Sequence, residues 1–151
     1  MNISKALKER NRIAGKIAKL QNQVEQYNRY ESNKIPDFNS LDLFKDLQIE
    51  WAHLIDLKTK IAKANVGIAD KLIQLTEAKS ELAFWNGFRS AGQASETIDK
   101  NEYVDGKIVT KKDIIYSRIT SKDVVDNQVR VQKLIEDLQD EIDDYNATTQ
   151  I

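Results

Sequence analysis

Between Val124 and Tyr145 the chain repeats apolar side chains at Val124, Val131, Ile135, Leu138, Ile142 and Tyr145, with Gln128 in the one gap. The steps alternate four and three, which is the 3.5-residue period of a coiled-coil seam. The N-terminal stretch answers with Ile13, Ile17, Leu20, Val24 and Tyr27 at the same spacing. A chain patterned this way consists of long helices, each burying one stripe against another.

Local signals divide the chain further. The first helix is expected over about 3–31, stopped by Pro36, which disfavours helix at the preceding residue. Asn39 is a candidate N-cap for a second helix over 40–64, with Asp42 near its start. That helix carries Phe44, Leu47, Trp51, Leu54 and Ile61, with Lys58 interrupting the stripe. Asn65–Val66–Gly67 is the expected break, because Asn and Gly accept the left-handed conformation that ends helices. A third helix over 68–92 would then fold back on the second; one bent helix of about 50 residues is the alternative.

Asp105–Gly106 lies between two short β-prone runs and predicts a type I′ hairpin within about 99–119. Ser121 reads as the N-cap of a last helix over 122–146. The expected fold is mainly all-α. It is one domain over 1–151, an antiparallel coiled-coil-like bundle of four long helices, with a short β-hairpin between the third and fourth.

The net charge of −1 hides an asymmetry. Residues 1–34 carry eight Lys and Arg against three Asp and Glu, and residues 121–151 carry three against eight. Lys5, Lys8, Arg12, Lys16 and Lys19 crowd the start of the first helix, and Glu136, Asp140, Glu141 and Asp144 crowd the end of the last. Each cluster opposes its own helix dipole, so antiparallel pairing of the two helices, within one chain or between two, would offset both. The expected core seam comprises Ile13, Ile17, Leu20, Val24, Trp51, Leu54, Val131, Ile135, Leu138 and Ile142.

The chain has no cysteine, which excludes disulfides and thiolate metal sites. Its start lacks the apolar run of a signal peptide, and no window resembles a membrane span; a cytoplasmic protein is expected. His53 is the sole histidine and has no Cys or second His to complete a site, so a boundary position beside Trp51 is the expectation. Asp140 with Asp143 or Asp144 shares a helical face and is expected to be solvated rather than metal-binding. Gly87–Phe88–Arg89–Ser90–Ala91–Gly92 lacks the Lys-Ser/Thr ending of a phosphate loop. No nucleophile–base pair, cofactor site or small-molecule substrate can be named.

Three segments carry a family resemblance: Ala6–Leu7–Lys8–Glu9–Arg10, the Ile-x-x-Ala-Asn pattern at 61–65, and the ending Leu138-x-x-Glu141-Ile142-Asp143-x-x-Asn146-x-Thr148-x-x-Ile151. They are similar to the septicolysin-like family of small uncharacterised bacterial helical proteins. The family pattern has a tryptophan where this chain has Ala147. The resemblance implies helical architecture and no established activity, although the family label points to a membrane-damaging protein.

The function expected from the residues is a non-catalytic structural or interaction protein, self-associating through its helical seams or the β-hairpin. The alternatives are a nucleic-acid-binding accessory using the basic first helix, which the sequence pI of about 5.9 disfavours, and a pore-forming protein.

Overall fold

Heptad positions that follow one another without interruption from Leu43 to Trp85 account for the main departure from the expected bundle. Leu43, Leu47, Glu50, Leu54, Leu57, Ile61, Ala64, Ile68, Lys71, Leu75, Ala78, Leu82 and Trp85 alternate steps of four and three, and every one is buried or half-buried. A seam that never changes phase favours one helical run. In the computed structural model, which describes all residues Met1–Ile151, helix α2 (Ser40–Ala64) passes through a four-residue 3₁₀ segment, Asn65–Ile68, directly into α3 (Ala69–Gly87).

The expected bundle of four long helices is therefore corrected: the helical chain forms three runs, of which the second spans residues 40–87. Asn65 does not turn left-handed; its φ of −68° and ψ of −11° lie in the right-handed region, as do those of Ala64 and Ala69. Gly67 marks a local tightening of the helix, not its end.

The remaining elements are α1 (Ile3–Asn28), strand β1 (Ser95–Val104), strand β2 (Lys107–Tyr116) and α4 (Ser121–Thr148). Helix α1 stops three residues before the expected Glu31, and α3 stops at Gly87 rather than at residue 92. The chain divides into two compact units, Met1–Ala69 with Glu141–Ile151, and Asp70–Asp140.

In the first unit α1 packs on α2. Ala6, Ile13, Ile17 and Leu20 of α1 and Leu47, Leu57 and Ile61 of α2 form one buried cluster, flanked by Leu7, Val24, Leu43, Leu54 and Ile151. The two helices run antiparallel. Tyr27 near the end of α1 meets Phe38 just before α2, with ring centroids 5.4 Å apart. The start of α1 and the end of α2 both meet the last residues of α4. The Ile3 N–H donates to the Thr149 carbonyl at 3.1 Å and the Asn2 side chain to the Ala147 carbonyl at 2.8 Å. The Tyr145 hydroxyl donates to the Ala64 carbonyl at 2.9 Å.

Asn2 also caps α1 by accepting from the Lys5 N–H at 2.9 Å. Unpaired N–H groups of one helix start are thus matched to carbonyls at another helix end. Ile3 is fully buried there.

In the second unit α3 and α4 run antiparallel, as Gln128 with Asn86 and Arg130 with Glu81 show. Leu75 and Ala78 of α3 and Val124, Val131 and Leu138 of α4 are buried, Val131 completely. The gap at Gln128 has a cause: its amide donates to the Asn86 side chain at 3.1 Å and reaches the Trp85 carbonyl in the last turn of α3.

Strands β1 and β2 form an antiparallel two-stranded ribbon closed by Asp105 and Gly106. Their φ angles of 51° and 77° are the pair of left-handed residues that a type I′ turn requires. The ribbon covers 95–116, four residues earlier than expected at its start. Asn39 caps α2 as expected, accepting from the Leu41 N–H at 2.9 Å. The start of α4 is capped by Thr120 and not by the expected Ser121. The Thr120 hydroxyl accepts from the Asp123 N–H at 3.2 Å, and Asp123 Oδ2 accepts from the Thr120 N–H at 2.8 Å, a reciprocal capping box.

Candidate interaction surfaces

The first surface follows from the register of α2. Leu43, Leu47, Glu50, Leu54, Leu57 and Ile61 face α1, so the neighbouring stripe of Leu41, Phe44, Trp51 and Ile55 points away from it. Those four side chains are 68%, 40%, 37% and 67% exposed. Trp51 is therefore corrected from core seam to surface. His53, on the same helix, is exposed as well. Of the other expected seam residues, Ile13, Ile17, Leu20, Val131, Leu138 and Ile142 are buried, while Val24, Leu54 and Ile135 are half-buried.

Glu50 occupies a seam position in place of an apolar residue. Its side chain is only 13% exposed and pairs with Lys16 of α1 at 2.5 Å. A charge at one seam position fixes register and orientation more than it adds stability.

That pair also shows where the basic end of α1 turns within one chain. The basic end of α1 directs its ion pairs to its own helix and to α2: Arg12 binds Glu9 at 2.5 Å, and Lys16 binds Glu50. The stripe of α1 is taken by α2, because the short connection at residues 29–39 brings α2 back along it. Lys5, Lys8 and Lys19 are exposed. On α4, Glu136 accepts from Gln132 at 2.9 Å, and the Asp144 backbone carbonyl accepts from the Thr148 hydroxyl. Asp140 and Glu141 lie on the exposed side of α4.

The second surface is the ribbon. All ten residues of β2 are exposed, and in β1 only Ile98 and Glu102 are half-covered. Tyr103, Ile108, Ile114, Ile115 and Tyr116 are exposed apolar or aromatic side chains on it. A bare two-stranded ribbon is marginal in water, and both of its long edges carry unpaired backbone groups.

A third surface is an open groove between α3 and α4 lined by Leu82, Asn86, Gln128, Val129, Gln132 and Lys133. Phe84, Trp85 and Phe88 form an aromatic cluster at the end of α3, with centroids 5.0–5.7 Å apart. The Glu81 carboxylate nearby accepts from the Trp85 indole N–H at 3.3 Å and pairs with Arg130; these bonds hold it below the usual carboxylate range. The indole's hydrogen bond is the larger cause.

Chemically, the three surfaces can bury apolar groups and extend a sheet. No polar or charged residue is buried, and no three His, Asp or Glu residues converge. No helix is long and apolar enough to cross a membrane. Comparison with protein-family models, curated proteins and solved structures finds no match.

The exposed stripe on α2 was hidden in the sequence because it lies beside the true seam, offset by one residue at Trp51 against Glu50. Charge at Glu50 and Lys71 masked the continuous heptad, and the aromatic residue drew the register to the wrong face.

Proposed function

We propose that the chain is a cytoplasmic, non-catalytic structural or interaction protein that self-associates. The observation that supports this most is the second apolar stripe of α2, Leu41, Phe44, Trp51 and Ile55, left open beside the seam that α1 covers. A helix with two adjacent stripes is built to take two neighbours, and within this unit the second stripe stays 37–68% exposed. The net charge of −1 presents little electrostatic barrier to like copies meeting.

Sedimentation equilibrium of the wild type and of Trp51→Glu/Ile55→Glu tests this directly. The wild type is expected to assemble and the double variant to lose or weaken assembly while retaining its helical circular dichroism. Equal assembly by both proteins would remove α2 as the contact, and a wild type that never assembles would refute self-association itself.

A further inference from the structure

The ribbon offers a more specific contact, and it rests on the self-association proposed above: the geometry points to a second copy of this chain docking edge to edge along β2, antiparallel, with Lys112 at the two-fold axis. The edge itself defines the pairing. Val104 and Lys107 close the two-residue turn and share a hydrogen-bonded pair, so every second residue outward from them points its backbone groups away from the partner strand. On β2 the outward residues are Ile108, Thr110, Lys112, Ile114 and Tyr116. Two observations agree with this. The Ile114 N–H is bonded to the Asp113 side chain at 2.8 Å rather than across the ribbon. One step past Tyr116, the Ser117 N–H bonds to the Ala94 carbonyl.

Only one two-fold register uses all five outward residues. It sets Ile108 against Tyr116 of the second copy, Thr110 against Ile114, and Lys112 against itself. Between them Val109 faces Ile115 and Lys111 faces Asp113. Ile108 meets Tyr116 and Val109 meets Ile115, Lys111 finds a carboxylate in Asp113, and the one like-charged pair is Lys112 at the axis. Within one ribbon Lys100 and Lys111 stand directly opposite, with Glu102 at 3.0 Å from Lys111 as their neighbouring carboxylate. Asp113 of the second copy supplies another. The two Lys112 side chains at the axis each stand opposite Asp99 in their own ribbon.

The same test applied to β1 fails. Pairing its five outward residues two-fold sets Glu96 against Glu102 and Ile98 against Lys100, so apart from the axial pair, which both edges share in kind, no charge there finds a complement. Lysines commonly guard a sheet edge from unwanted pairing, but in the β2 register Lys111 has a carboxylate opposite it and Lys107 falls beyond the paired residues. Docking exchanges one bond. The Ile114 N–H passes from Asp113 to the Thr110 carbonyl of the second copy, freeing the Asp113 carboxylate for Lys111.

The absence of cysteine makes the register directly readable. Residues directly opposite in such a pair have Cα atoms about 5.5 Å apart, within disulfide reach. Under mild oxidation Lys112→Cys is expected to form a covalent dimer, Thr110→Cys alone to do so poorly, and Thr110→Cys mixed with Ile114→Cys to cross-link. Independently, Lys111→Asp and Asp113→Lys are each expected to lose ribbon pairing, because each sets like charges opposite one another twice. Their equimolar mixture is expected to regain it, since every clash becomes an ion pair. If the wild type assembles but Lys112→Cys cross-links no better than Thr110→Cys, or the mixture stays apart, β2 docking is overturned and self-association stands. If the wild type is a monomer throughout, both fall.

Discussion

Replacing Gly67 by alanine is expected to destabilise the protein, although the same change in an ordinary helix interior stabilises. A Cβ on Gly67 would lie 2.4 Å from the Tyr145 hydroxyl oxygen and 3.3 Å from the ring carbon bearing it. The rigid ring must move, and its 2.9 Å bond to the Ala64 carbonyl is lost. Loss of that bond costs about 1 kcal/mol, and forcing extra volume into a packed contact costs about 1–3 kcal/mol. Against this, alanine gains about 1 kcal/mol of helix propensity over glycine.

The net expected destabilisation of Gly67→Ala is about 1–3 kcal/mol. Removing the ring should reverse the sign. In a Tyr145→Ala background Gly67→Ala should stabilise by up to about 1 kcal/mol, giving a coupling of about 2–4 kcal/mol across the double-mutant cycle. Urea unfolding followed by far-ultraviolet circular dichroism measures all four corners. A Gly67→Ala change that stabilises equally with and without Tyr145 would show that the glycine is not there to admit the ring.

Glu50→Ala should destabilise α1 on α2 by leaving the seam under-filled, whereas Glu50→Leu, which fills it with apolar surface while the half-exposed Lys16 turns to water, should be neutral or stabilising by about 1–2 kcal/mol in the same unfolding assay; equal losses in both would show that the ion pair itself carries the stability. The Asp123 carboxyl is held below its usual range first by the Thr120 backbone N–H and then by the Thr120 hydroxyl. A carboxylate depressed in the folded state stabilises fully above its unfolded value and loses that contribution as pH falls through its folded value. Amide protection factors at the start of α4, taken relative to the intrinsic exchange rate at each pH, should therefore fall on acidification, and Asp123→Asn should flatten that dependence. Thr120→Ala should weaken the same helix start by about 1 kcal/mol. Gly106→Val places a β-branched residue at a φ of 77° and should broaden or abolish the cross-strand nuclear Overhauser contacts of the ribbon while sparing those between α1 and α2.

Much of the fold was legible because its signals are local and periodic. The seams of α1 and α4 are heptads of apolar residues broken only at Gln128, and Asp105–Gly106 admits few conformations besides a tight turn. The single run from Ser40 to Gly87 was not, for two reasons. Asn65 and Gly67 carry the composition of a helix stop, yet Gly67 is needed for the close approach of Tyr145, a residue 78 positions away that no local pattern reveals. The continuous heptad through this run passes over Glu50 and Lys71, whose charges look like solvent-facing positions until Lys16 is seen opposite Glu50. The same misreading placed Trp51 in the core. The charge asymmetry of the two termini is present in the sequence, but within one chain the partner of α1 is set by the short α1–α2 connection.

Sedimentation equilibrium of the unmodified chain over a wide concentration range tests the central claim most directly. Self-association predicts a mass that rises above 17.3 kDa toward an integral multiple of it. A single species of 17.3 kDa at every concentration would contradict the account.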